Sequence, residues 1–341
     1  MVFDLGSLWL KGLHVAIRDG KVNVLNAACE KQVEGYHENP DMLAQSINGL
    51  SERLGVSTKK AVIALNGANS VLKQTLMPLV PLADMRKMLK VGSQNYLGQA
   101  LDKHTFDCEL VSSENETEDQ GGESAEDSDP RKRVLVGGSQ EMVIKNIKAA
   151  LKKTKYSLDH VVPNQVGIIN AFELAYPEIY REHTVALIEV GHAYSSICIL
   201  DRGTVGITRN INFGGRDLNR EIAEHLNISV EEAQDMKEGL ADEVNDFIED
   251  RLDSFVNEIQ ASMDFFTHTQ ERDIVKVFLS GGSVLSDTVL RVICSNLVIP
   301  CEMWNPMSGV ELKVPDDQEQ EVYRFEKQLG TSVGAALSYL N

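Results

Sequence analysis

The chain has 341 residues, enough for two domains or one two-lobed body, and its 43% hydrophobic and 25% charged residues suit a globular protein with a sizeable core. Lys plus Arg is 33 and Asp plus Glu is 51, so the net charge is −18, which argues against nucleic acid or an anionic membrane surface as a direct partner. In chain order, Met1 to Lys11 has no basic stretch ahead of its apolar residues, so the reading is of a chain without a signal peptide. No apolar run approaches the ~20 residues of a membrane span. Asn39-Pro40 opens a helix with Leu43, Ile47, Leu50 and Leu54 at helical spacing and Gly55 to end it. Ala61 to Leu65 reads as a short strand. Arg133 to Val136 reads as another, followed by a strand-to-helix turn at Gly137-Gly138 and a helix from Ser139 to Lys153. Ser229 with Glu232 is a capping box opening a helix to about Leu240. Val244 to Thr267 is amphipathic, with Phe247, Ile248, Leu252, Phe255, Ile259, Met263 and Phe266 along one stripe. Val275 to Leu279 is a buried strand ended by Ser280-Gly281-Gly282.

The alternation of strand-like and helix-like segments signals an α/β architecture. One segment stands apart. Residues 113–129 hold eight acids, no basic residue and no large apolar one, and read as a disordered loop within a domain. The five cysteines (Cys29, Cys108, Cys198, Cys294, Cys301) form no C-x-x-C pair, which fits reduced thiols in a cytoplasm; Cys198 lies in an alternating apolar stretch and reads as a core residue.

An internal duplication carries more information. Residues 2–28 read as strand, turn, strand, tight turn, strand, and residues 184–211 repeat the order. In each copy a carboxylate closes the first strand (Asp4, Glu189), a glycine follows two residues later (Gly6, Gly191), and a glycine-containing turn closes the second hairpin (Gly20, Gly203). Two copies imply two similar lobes facing a cleft. A carboxylate-x-Gly at a strand end lets backbone N–H groups approach a phosphate, and the carboxylate can hold Mg²⁺ through water. Gly214-Gly215 and Gly281-Gly282-Ser283 place further glycines at helix starts, as a nucleotide edge would need. Neither is a Walker A loop or a G-x-G-x-x-G.

In this order the motifs resemble the actin-like (ribonuclease H-like) ATPase superfamily, and within it the PilM family of type IV pilus assembly proteins, relatives of the cell-division protein FtsA. DLGSLWLK (Asp4 to Lys11) resembles the first phosphate loop, and IEVGHAYSS (Ile188 to Ser196) the second. TRNINFGGRDLNREIAEHLNISVEEAQDMK (208–237) and FLSGGSVLSDTVLRVICSNLVIPCEMWNP (278–306) are similar to the family's most specific stretches, and GTSVGAALSYL (330–340) to its closing helix.

The resemblance implies a duplicated two-lobed fold. Residues 1–72 would begin the first lobe, 73–160 form an inserted subdomain (1C) interrupted by the acidic loop, and 161–183 return to the first lobe. Residues 184–329 would form the second lobe, with 330–341 packing back on the first. It implies ATP with Mg²⁺ in the cleft, held by Asp4, Gly6, Ser7, Lys11, Glu189, Gly191, Ser195, Gly214, Gly215, Gln234, Lys237, Gly281, Gly282 and Ser283, with Asp4 and Glu189 at the metal. It also implies a partner: a PilN-like inner-membrane protein whose cytoplasmic N-terminal tail docks in the groove beside 1C. The protein would then be cytoplasmic and recruited to the inner membrane through partners.

The departures from the family pattern bear on nucleotide. Glu189 stands in place of the usual Asp, Gln234 in place of the ribose-contacting Glu, and Leu8-Trp9 in place of small residues. Trp9 either occupies phosphate space or faces the core. His192 stands in the second loop beside Tyr194. A degenerate scaffold that no longer binds ATP is the alternative, and a small-molecule kinase of the same superfamily a further one.

Overall fold

Three sheets organise the chain. The structure, a computed structural model, describes residues 1–18, 21–111, 131–238 and 244–339; Gly20, the acidic segment 113–129, Leu240 and Leu340 lie outside the described residues. The first part contains β1 (Val2–Leu5), β2 (Trp9–Arg18), β3 (Lys21–Lys31), α1 (Pro40–Leu54) and β4 (Lys60–Ala64). The side chain of Asn39 accepts from the N–H groups of Asp41 and Met42, and Gly55 closes α1 at φ 61°. Next come β5 (Val71–Pro78), α2 (Leu82–Leu97), β6 (His104–Leu110) and β7 (Arg131–Gln140). Then follow α3 (Glu141–Leu151), β8 (Ser157–Val162), α4 (Asn164–Ala175) and α5 (Pro177–Glu182). The second half opens with β9 (Thr184–Val190), β10 (Ser195–Asp201) and β11 (Thr204–Ile211), followed by α6 (Gly215–Leu226), α7 (Val230–Glu238) and α8 (Asn245–Gln270). It closes with β12 (Lys276–Ser280), α9 (Asp287–Asn296), β13 (Cys301–Met303), β14 (Glu311–Leu312), α10 (Asp316–Phe325) and α11 (Gly330–Ala336).

The duplication is real at the level of topology. The six-stranded sheet runs β14-β3-β2-β1-β4-β8 and the five-stranded sheet β11-β10-β9-β12-β13. In both, the first strand of the repeat pairs antiparallel with the second and parallel with the strand that follows the hairpin unit. Strand alternation sorts the side chains into layers. On β9, Val185 and Leu187 face one core, while Ala186, Ile188 and Val190 face another. On β1, Val2 joins the same shared core as Val185, and Phe3 and Leu5 point the other way, toward α1 and α3. The shared core lies between the sheets and holds α4 and α11, with Phe172, Phe278, Trp304 and Val333. The outer face of the second sheet is covered by α6 to α9, where the predicted α8 stripe packs Leu252, Phe255, Ile259 and Phe266. The capping box forms as read: Ser229 Oγ accepts from the Glu232 N–H at 3.1 Å, and the Glu232 carboxylate accepts from the Ser229 N–H at 2.9 Å.

The two helices of the middle layer meet backbone to backbone. A Cβ at Gly334 would lie 1.6 Å from the Gly167 carbonyl oxygen, and one at Gly167 would lie 2.7 Å from that of Thr331. α11 rests on β1, β2 and β4, while α4 reaches across to β10.

The inserted unit is a three-stranded sheet, β5-β7-β6, with α2 packed on it around Met77, Met85, Leu89 and Val136. Three details differ from the sequence reading. Gly137 and Gly138 lie inside β7 and make no turn; a Cβ at Gly138 would lie 2.6 Å from the Thr105 carbonyl oxygen, so glycine lets β6 approach closely. α3 and β8, read as part of the inserted unit, belong with the first sheet: α3 packs with α1, and β8 pairs with β4. The return to the first sheet comes before residue 330, because β14 pairs with β3 and α10 packs against it.

Candidate functional site

The same alternation that sorts the cores delivers the chemistry. Asp4 shares the inward face of β1 with Val2, and Glu189 shares the inward face of β9 with Leu187, so the two carboxylates enter the inter-lobe space from opposite sheets. They border a cavity of about 330 Å³, at the lower end of the small-molecule range. In the β1–β2 register Lys11 stands opposite Asp4, and its Nζ donates to Asp4 Oδ2 at 3.0 Å. In the β9–β10 register Ser196 stands opposite Glu189. Its Oγ donates to Asn164 Oδ1 at 3.1 Å, and Asn164 Nδ2 donates to Glu189 Oε2 at 2.7 Å. The start of α11 supplies both carboxylates: Thr331 Oγ1 donates to Glu189 Oε1 at 3.4 Å and Ser332 Oγ to Asp4 Oδ2 at 3.2 Å.

Charge balance follows from burial. Burial alone would lower the Lys11 ammonium, but Asp4 and Glu189 together outweigh it and hold its pKa above the usual value. Burial raises the Glu189 carboxyl above its usual value, against the pull of Lys11 and the Asn164 hydrogen bond. Burial, with Lys237 and Arg216 nearby, pushes the His192 imidazole down to about 4, so it is neutral at pH 7.

The two glycine loops are built alike. A Cβ at Gly6 would lie 2.6 Å from the Trp9 carbonyl oxygen, and one at Gly191 would lie 2.5 Å from that of Tyr194. In both loops the chain doubles back so tightly that only glycine fits. Gly281 adopts φ 100° with its Cα against the end of β9, where a Cβ would lie 2.4 Å from the Val190 carbonyl oxygen.

Asp4, Gly6, Ser7, Lys11, Glu189, Gly191, Gly215, Gln234, Lys237, Gly281, Gly282 and Ser283 all border this one cavity. Ser195 and Gly214 stand one layer behind it. Ser195 Oγ donates to the Phe213 carbonyl at 2.8 Å, and a Cβ at Gly214 would lie 2.4 Å from the His192 carbonyl oxygen, so both shape the second loop from behind. The helix-start reading of Gly214-Gly215 also changes. The N–H groups of Gly215 and Arg216 donate to the carbonyls of Gly191 and His192, and that of Gly214 to the Asp217 carboxylate. These donors brace the loop and are not offered to the cavity. Ser283 Oγ donates to the Gly191 carbonyl at 2.8 Å, and Lys237 Nζ to that of Gly215 at 3.3 Å, which ties the far wall to the same loop. Trp9 lies on the cavity wall, on the strand face of Lys11, with its ring 5.5 Å from that of Phe325.

Sequence reasoning did not reach Asn164, Thr331 and Ser332, the residues that orient the two carboxylates. Nor did it reach Arg324, Phe325 and Gln328, which α10 and the turn after it bring to the cavity. A magnesium nucleotide fits the donor set. Mg²⁺ is usually held by one or two carboxylates with water and phosphate completing its shell, and two carboxylates steadied by neighbouring donors are what this site offers. Among the described residues no three His, Cys, Asp or Glu side chains gather as a metal cluster, so water and phosphate would supply the other ligands.

Two sheets of one topology, each sending a hairpin loop and a carboxylate into a shared cleft, define an actin-like two-lobed protein. The family model of the type IV pilus assembly protein PilM matches residues 20–339, and the chain belongs to that family. Among solved structures, a chain titled as the PilM–PilN type IV pilus biogenesis complex superposes with a TM-score of 0.83 at 18% identity, covering 99% of this chain and 98% of the other. The ethanolamine utilization protein EutJ from Carboxydothermus hydrogenoformans gives a TM-score of 0.54 at 14% identity, covering 98% and 88%. At these identities both matches speak to the fold. Among the described residues no helix is long and apolar enough to cross a membrane.

Proposed function

We propose that this chain is an actin-like nucleotide-binding assembly protein of a type IV pilus or related secretion machine. Mg–ATP occupies the inter-lobe cleft and favours one arrangement of the lobes, as any ligand that shifts a conformational equilibrium must. The observation that carries this reading is the meeting of Asp4, Lys11 and Glu189 at one cavity edged by two matching glycine loops. Lys11 and the loop backbones would hold phosphate, Asp4 and Glu189 the hydrated metal, and Gln234, Lys237, Gly282 and Ser283 the nucleoside side. Asn164, whose amide donates to Glu189 and Thr331 and accepts from Ser196, would hold Glu189 in place beside the metal.

The output of the protein is partner binding. The inserted unit and the first lobe enclose a groove of about 480 Å³ lined by Phe106, Leu135, Gly138, Ile144, Val161 and Pro163. The cytoplasmic N-terminal tail of a PilN-like inner-membrane protein would lie there, and this contact would hold the protein at the cytoplasmic face of the inner membrane. The similarity to a chain from a PilM–PilN complex supports a partner of this kind.

A second reading has its own observation. Lys11 is already paired with Asp4, and Trp9 narrows the cavity, as a scaffold that has lost its nucleotide would show. Calorimetric titration of nucleotide-stripped protein with ATP and Mg²⁺, beside Asp4→Ala, separates the two. Saturable binding that the variant loses is the expected result. No heat at millimolar ATP would leave the scaffold reading standing.

A further inference from the structure

Helix α9 and strand β13 bring two thiols together. Cys294 sits in the last turn of α9 and Cys301 opens β13, and the short link 297–300 joins the two elements. Strand register fixes where Cys301 points. It stands opposite Val277 of β12, and Val277 faces the core that α6 to α9 cover. Cys301 and Met303 pack against that core, while Glu302 between them turns away and pairs with Lys276 at 2.9 Å. Cys294 packs against the same core, beside Ile293 and one helical turn after Leu290. The two thiols are within hydrogen-bonding reach of each other.

The pair is also reachable. Cys29, Cys108 and Cys198 are buried, whereas Cys294 and Cys301 are both partly exposed, and Val298 in the link between them is 92% exposed. Burial, and then the hydrogen bond to Cys294, hold the Cys301 thiol above its usual range, so Cys301 keeps its proton. Cys294 is the sulfur left to attack, since the thiolate is the nucleophile.

We propose that Cys294 and Cys301 form a redox-active dithiol that hydrogen peroxide closes to a disulfide and a small dithiol reopens. The Cys294 thiolate attacks one peroxide oxygen: an S–O bond forms, the O–O bond breaks, and the departing hydroxide takes up the proton that Cys294 released. The Cys301 sulfur then attacks the sulfenic sulfur of Cys294. The S–S bond forms, the S–O bond breaks, and the second hydroxide leaves as water with the Cys301 proton. The two thiols give up two electrons and two protons, and the peroxide is reduced to two waters. Reopening is thiol–disulfide exchange, in which the small dithiol becomes the disulfide. The bridge would anchor the far end of a helix whose near end lies at the cleft, because Leu285 and Ser286, just before α9, border the first cavity.

The test uses the full chain, reduced and then freed of reductant, and treated with hydrogen peroxide. Trypsin leaves both cysteines on one peptide, residues 292–313, because no Lys or Arg lies between Arg291 and Lys313. That peptide is expected to lose the mass of two hydrogens, at least about tenfold faster than any of the three buried cysteines is modified, and dithiothreitol should restore it. Cys301→Ser should instead hold the sulfenic acid on Cys294, read as a dimedone adduct, and Cys294→Ser should give no adduct on Cys301. The wild-type peptide map decides the question even where a variant folds poorly. Three results would overturn the proposal. One is a peptide that keeps both thiols under peroxide. The second is a disulfide that joins two chains instead of closing within one. The third is oxidation of either cysteine to a sulfinic acid that dithiothreitol does not reverse.

Discussion

His192 offers a direct measurement of how dry and how positive the second glycine loop is. Burial, reinforced by Lys237 and Arg216, brings its pKa down to about 4, against about 6.5 for a free imidazole. Between these two values the unfolded chain binds a proton that the folded chain refuses. Stability therefore rises with pH across that window and falls on acidification. From pH 7 to pH 5 the loss amounts to about 1.5 pH units at 1.36 kcal/mol each, or roughly 2 kcal/mol, and somewhat less because the ring keeps partial solvent access. Glu189 works in the opposite direction: its carboxyl is raised by burial, so acidification favours its folded form. The clean quantity is thus a difference between proteins. Urea unfolding of the wild type and His192→Gln at pH 7 and pH 5 should show the wild type losing about 1–2 kcal/mol more than the variant. Equal losses in both would mean that the imidazole is solvated in the folded protein and that the loop is neither dry nor strongly positive.

Gly334→Ala should destabilise the protein by more than about 3 kcal/mol or prevent folding, because the new methyl falls on the Gly167 carbonyl; a thermal midpoint near that of wild type would refute the backbone crossing. Arg216 of α6 pairs with Glu34, which follows β3, across the mouth of the cleft. Glu34→Gln should change stability by less than about 1 kcal/mol, since Glu34 is exposed, yet speed release of a fluorescent nucleotide in stopped flow; unchanged release would remove the pair from any gating role.

What could be read from the sequence depended on how far each signal travels along the chain. Helix α1 announced itself through Asn39, Pro40 and Gly55 because caps act within a few residues, and the Ser229–Glu232 box did so for the same reason. The repeat was legible because each copy is contiguous, whereas the Asp4–Lys11 pair emerges only from the register of β1 on β2. The braces on Glu189 were not legible. Asn164 lies 25 residues away and Thr331 lies 142, and nothing local marks an Asn after Pro163 or a Thr after Gly330 as a carboxylate partner. β6 escaped notice because it is an edge strand with mostly exposed side chains, and a strand without a buried face has no pattern to show. Gly137-Gly138 misled because a pair of glycines signals a turn and a close strand approach equally well.

The glycine crossing of α4 and α11 sets the kind of motion open to the lobes. Helices that meet only through interdigitating side chains can slide by repacking them, but at the crossing of α4 and α11 a peptide group rests on a peptide group, and the Asn164–Thr331 hydrogen bond ties the same two helices nearby. Sliding would have to part both contacts at once, so turning about the contact point is the motion this packing favours. The molecule is then a pair of scissors with its rivet at Gly167 and Gly334. A small angular change at the rivet grows with distance from it, and it is read out at the blades, where Glu34 and Arg216 either meet or part.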